Sequence, residues 1–164
     1  MIHVQFENET GDKQTARFLA DEKQVGSLVI DRDDRLARVI IHGVQTYMKL
    51  PKRDVRARFL VLELERDHQG LGTLSYGLTN KVMLSLMGVD GAKVDFEVLH
   101  AFTKARRFEV LVDNALIFSG VPQCRIDGRL HRIDFERHQR LGDVRELHEL
   151  ASYVGLAAAI YFQS

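Results

Sequence analysis

Cys124 and His131 are the first side chains to test for chemistry. Asp127-Gly128 suits a two-residue hairpin turn between Gln123–Ile126 and Arg129–Phe135. With that turn 126 faces 129, 125 faces 130 and 124 faces 131, so a thiol stands opposite an imidazole. A nucleophile and its base need that arrangement. Cys124, however, shares the apolar side of the alternation with Ile126, Ile133 and Phe135. A buried thiol is inert, so the pair reads as core packing and no catalytic residue is assigned. Asp95, Glu97 and Glu109 put carboxylates on neighbouring strands, as a metal-dependent nuclease does. The lysine such a site needs two positions after the second acid is Leu111 here. Glu146, His148 and Glu149 lie on the closing helix, but Ser152 stands where a second histidine would complete a zinc motif. Asp31-Arg32-Asp33-Asp34 lacks the glycine and the distal glutamate of a calcium loop. No metal site is assigned. Gly70-Leu71-Gly72 and Gly77 have the wrong interval for a dinucleotide loop and read as a turn.

Charge is more informative. Between residues 49 and 58, Lys49, Lys52, Arg53, Arg56 and Arg58 stand against Asp54 alone. Such a run is either an anion clamp or a solvated loop; arginine forks match phosphate oxygens and stack on purine faces. Lys104, Arg106 and Arg107 form a second basic cluster in a strand connection. Arg125, Arg129, Arg132, Arg137 and Arg140 alternate with Asp127, Asp134 and Glu136, a pattern of solvated cross-strand pairs. Most phenylalanines fall on the apolar side of the strands. A nucleic-acid groove needs exposed aromatics beside its cations, so nucleic acid is not an expected partner.

The elements that must position these residues are mostly strands. Lys93–Glu136 reads as an antiparallel meander. Val94, Phe96 and Val98 alternate with Asp95 and Glu97, and Phe108, Val110 and Val112 alternate with Arg107, Glu109 and Leu111. Asp113-Asn114 is a turn pair that tolerates positive φ, followed by strand Ala115–Ser119. Earlier strands are expected at Ile2–Phe6, Thr15–Ala20, Val25–Ile30, Phe59–Glu65 and Thr73–Tyr76; Asn80–Met87 fits strand or helix. From Asp34, Leu36, Val39, Ile40, Val44, Tyr47 and Met48 recur at intervals of three and four, which predicts a helix ending at Pro51. Asp143 and Glu146 have capping-box spacing at the start of a C-terminal helix. That helix is apolar nearly all round in its last turns.

At 164 residues, 45% hydrophobic and 28% charged, the chain suits one globular domain with a small appendage. A net charge of zero supplies no global field toward nucleic acid or an anionic membrane. One cysteine excludes an internal disulfide. Met1–Glu9 has no apolar signal core, and Leu150–Phe162 is too short to span a bilayer. These features predict a cytoplasmic protein without a membrane span. Tyr161-Phe162-Gln163-Ser164 resembles the remnant of a cleavable tag.

Taken together, Lys52–Tyr153 resembles a PilZ domain. Three features carry the resemblance: the basic run Lys52-Arg53-Asp54-Val55-Arg56, the segment Leu84-Ser85-Leu86-Met87-Gly88-Val89, and His131-Arg132-Ile133-Asp134-Phe135 followed by a helix. It implies a mainly β, α+β fold: a six-stranded antiparallel PilZ-like barrel with a C-terminal helix over residues 51–160, preceded by an N-terminal β/α extension over residues 1–50. It also implies a non-enzymatic regulatory module that binds cyclic-di-GMP. By position Lys52, Arg53 and Arg56 would grip phosphates and guanine faces, and Ser85 and Gly88 would meet the base. Met83 stands where the family has Asp or Asn, and Lys52 where it has Arg. The alternative is an adaptor that binds no nucleotide and joins a protein partner or a second copy through its C-terminal helix. A third reading is an enzyme built on Cys124 and His131.

Overall fold

The structure is a computed structural model that describes residues 1–7, 11–51, 61–77, 81–87, 91–102, 107–138 and 144–162. Twelve strands are seen among these residues. They are β1 (Ile2–Phe6), β2 (Lys13–Ala20), β3 (Lys23–Asp31), β4 (Leu36–Ile41), β5 (Val44–Lys49) and β6 (Val61–Arg66), then β7 (Gln69–Tyr76), β8 (Val82–Met87), β9 (Lys93–Leu99), β10 (Phe108–Val112), β11 (Ala115–Cys124) and β12 (Leu130–Arg137). Each pairs antiparallel with its neighbours in sequence, and β1 closes the ring on β12 through Ile2↔Phe135 and Val4↔Ile133. One helix, α1 (Val144–Tyr161), ends the chain.

Local backbone chemistry sets this up-and-down order. Four hairpins turn on two residues that both take positive φ: Asp21-Glu22, His42-Gly43, Asp67-His68 and Asp113-Asn114. They join Ala20 to Lys23, Ile41 to Val44, Arg66 to Gln69 and Val112 to Ala115. Positive φ at both central residues matches the right-handed twist of the flanking strands.

The six-stranded barrel is therefore corrected to a closed barrel of twelve strands. The N-terminal extension is corrected with it, because β1–β5 are staves of the same wall as β6–β12. The helix expected from Asp34 is a hairpin, β4 and β5. Ala37, Val39 and Ile41 face inward on one strand, Thr46 and Met48 on the other. The His42-Gly43 turn shifts the phase of the alternation, and two phase-shifted period-two patterns imitate a period near 3.6. Asn80–Met87, ambiguous in sequence, contains β8. The two strands expected at Ala115–Ser119 and Gln123–Ile126 form one strand, β11, which runs through Pro122. Pairing with β10 has already ended at Gly120 there, so a missing N–H costs that ladder nothing.

The barrel interior is filled by the chain's own helix. Leu147, Leu150, Ala151, Tyr153, Val154 and every residue from Leu156 to Ile160 are buried. A twelve-stranded ring is too wide for side chains alone to fill, and a helix about 10–12 Å across supplies the missing layer. This explains why the last turns of α1 are apolar on all sides. Small residues, Ala157–Ala159, keep it slim. Gly155 lets it approach β1, where a Cβ would stand 3.3 Å from Val4. Tyr161 and Phe162 cap the far end against Phe102, with ring centroids 5.7 and 6.4 Å away.

Arg38, Glu63 and Gln123 are among the polar side chains exposed on the outer wall, beside exposed Ile40, Val61 and Val121. No helix of the described residues is long and apolar enough to cross a membrane.

Candidate functional site

The best-defined polar cluster stands on the outer face of β10–β12. Phe108, Phe118 and Phe135 alternate inward there and meet edge to face, with Phe118–Phe135 centroids 5.6 Å apart. That alternation turns Arg107, Ser119, Glu136 and His138 outward. Register completes the grouping, because Ser119 pairs with Glu136 on one side and Glu109 on the other. Arg107 Nε donates to Ser119 Oγ at 2.7 Å. Ser119 Oγ lies 2.9 Å from His138 Nε2, and Arg107 Nη2 reaches the same nitrogen at 3.3 Å. Arginine can only donate, so His138 Nε2 is an acceptor and Ser119 donates its hydroxyl proton there. Arg107 also pairs with Glu136.

A serine hydroxyl on an imidazole nitrogen is the spacing of a nucleophile and its base. Here the oxygen also receives an arginine N–H, and Ser119 is only 1% exposed. The hydroxyl is thus fully engaged, and its effect is to pin Arg107 in one orientation. The guanidinium stays within reach of solvent, its side chain 45% exposed beside a Glu136 side chain 66% exposed.

Beside this cluster a cleft of about 720 Å³ opens at the barrel mouth. Ile2, Gly120, Phe135 and Leu147 give it an apolar floor; Arg107, Arg132, Arg137, Asp134 and Glu136 give it a charged rim. Gly120 is required here, since a Cβ would stand 2.1 Å from the Phe108 ring. Arg132 is held by Asp134 at 2.6 Å. His148 of α1 forms part of the wall and lies 2.9 Å from His42 in the β4–β5 turn.

Below the mouth a polar seam joins helix to wall. Arg66 Nη2 donates toward Glu149 at 3.2 Å, Tyr153 Oη at 3.0 Å and Thr46 Oγ1 at 3.2 Å. Thr46 and Tyr153 also bond at 3.1 Å. Burial pushes the Tyr153 phenol up in pKa, and Glu149 adds to this; the bonds from Thr46 and Arg66 work against it. Deeper in, Tyr76 donates to the Ala157 carbonyl at 2.7 Å, and burial holds that phenol protonated.

Of the residues expected to grip a nucleotide, Lys52, Arg53, Arg56 and Gly88 lie outside the described residues, as does the Asp143 cap. Ser85 stands on the outer face of β8, between Thr73 and Asp95. Its hydroxyl donates to Asp95 Oδ1 at 2.6 Å, beside a shallow groove bordered by Glu63, Thr73 and Lys93. Asp95 is thus engaged by a serine, and Glu97 pairs with Lys81 at 3.1 Å. Among the described residues no three His, Cys, Asp or Glu side chains are placed to hold a metal ion.

The Cys124–His131 register is also corrected. Arg125 and Arg129 close a three-residue loop, with Gly128 at φ 85° and Arg125 N donating to Arg129 O. Cys124 then pairs with Leu130, and His131 is the extra residue of a bulge. The loop is one residue longer than a two-residue turn, so thiol and imidazole do not face each other across the strands.

Sequence reasoning reached Arg107 only as one member of a basic cluster, and missed Ser119, His138, His42 and the role of His148. Their partners are 12 to 106 residues away along the chain. No short motif carries that information. Comparison with family models, with curated proteins and with solved structures gave no match. Fold and site together define a closed antiparallel barrel plugged by its own C-terminal helix, with a ligand-sized cleft at its mouth.

Proposed function

We propose that this chain is a non-catalytic binding module that takes a small amphipathic acid in the mouth cleft. One observation carries the reading: an apolar floor of Ile2, Phe135 and Leu147 adjoins a guanidinium, Arg107, oriented by a buried serine. Ligand pockets combine apolar walls with a few convergent polar groups, and about 720 Å³ is within their usual size. The Arg107–Glu136 pair is exposed, and such pairs contribute little. A ligand carboxylate can therefore displace Glu136 and take the bidentate fork. The barrel interior is not the proposed site, because α1 occupies it.

Titration calorimetry with octanoate and 3-phenylpropionate tests this. Binding is expected for at least one of them, weakened about tenfold or more by Arg107→Leu. No heat from either acid, or equal binding by the variant, would remove the reading.

A further inference from the structure

We propose that the His42–His148 hydrogen bond is a proton-operated latch, holding the first turns of α1 at the barrel mouth and releasing them in acid. His42 Nε2 and His148 Nδ1 are 2.9 Å apart. The rings are tilted by only 17°, with centroids 5.1 Å apart. That separation is about what two ring radii add to the bond, so the imidazoles meet end to end, not face to face. Both nitrogens point along one line, which suits a shared proton and leaves no room for an ion between them.

The bond needs one donor and one acceptor. Two neutral rings satisfy it, and so does one neutral ring with one charged ring. Two charged rings cannot, because the acceptor is gone and like charges face each other. Free imidazoles take up protons around pH 6.5. The open arrangement can accept a proton on each ring, whereas the closed one must exclude the second. Acid therefore favours opening, by ordinary linkage.

The surroundings agree. His148 is buried, and from β2 it meets the uncharged Phe18 ring, 5.9 Å away. Asp21, in the β2–β3 turn, acts on it through space and is itself bound to the terminal amine at 2.8 Å. On α1, Glu146 is exposed and Glu149 is committed to Arg66 of β6. Around the shared cleft, Arg107 is paired with Glu136 and Arg132 with Asp134, and Arg137 also lines it. His42 sits in a tight turn at φ 50°, so the backbone fixes the wall side of the latch, while the helix side is held by buried Leu147 and by the Arg66–Glu149 pair as well as by His148.

Hydrogen exchange read by mass spectrometry at pH 7.5 and pH 5.0, corrected for intrinsic rates, tests the latch without any ligand. The wild-type segment 144–153 is expected to lose protection about tenfold or more at pH 5.0, while β10 and β12 keep theirs. His42→Asn, which suits the positive-φ turn but does not titrate, is expected to leave the segment equally open at both pH values. Nitrogen-15 spectra of the wild-type imidazoles report the charge directly. Both rings charged at pH 5.0 with unchanged protection of 144–153 would overturn the latch. So would a His42→Asn protein that keeps the wild-type pH response.

Discussion

Arg107 illustrates how a single residue acquires a role from its supports. Its Nε is held by Ser119, a side chain it could not meet without the β10–β11 register. Gly120, next to that serine, is equally constrained. Gly120→Ala would drive a methyl into the Phe108 ring and is expected to destabilise the fold by about 1–3 kcal/mol, read from urea unfolding. His3, on the outer wall between Leu19 and Asp134, offers a second test. Burial lowers its pKa, and the nearby Arg132 charge lowers it further. A lowered folded-state value means that the neutral ring is favoured. Its contribution is thus complete above the unfolded value of about 6.5 and declines as the pH falls below it. His3→Gln is expected to flatten the fall in urea midpoint between pH 7.5 and pH 5, apart from any part due to His42 and His148.

At the scale of elements, the helix and its seam matter most. Tyr153→Phe removes a hydroxyl that joins Arg66 and Thr46 across the helix–wall contact. A loss of about 1–3 kcal/mol is expected, because partly buried polar groups are left with fewer partners. Most strands could be read from alternation, and Asp113-Asn114 could be read as a turn because both residues tolerate positive φ. The β4–β5 hairpin could not. Its turn is His42-Gly43, a weaker signal than Asn-Gly, and the phase shift across it mimics a helix. The Asp127-Gly128 loop went the other way: it offered a two-residue turn, but a left-handed Gly128 closed a longer one and displaced His131 into a bulge. Local chemistry decides that a chain turns, while neighbouring strands decide by how many residues.

Over the whole molecule, strand number was the property hardest to read. A period-two pattern shows which side of each strand is wet but not how many strands close the ring. The clue was α1, whose apolar circumference required a surrounding wall. Removing residues 144–164 is expected to leave a chain without a cooperative thermal transition or near-ultraviolet circular dichroism, since the core loses its central layer. A truncated chain that still unfolds cooperatively would show that the wall does not depend on its plug.

The central claim is that this barrel binds at its mouth and not within its bore. Backbone amide shifts during a titration with octanoate address it most directly. Ser119, Gly120, Phe135 and Leu147 are expected to move in a saturable way, Tyr76 and Ala157 to stay still, and Arg107→Leu to abolish the response. Saturable shifts centred on Tyr76 and Ala157, or an unaltered response in the variant, would contradict it.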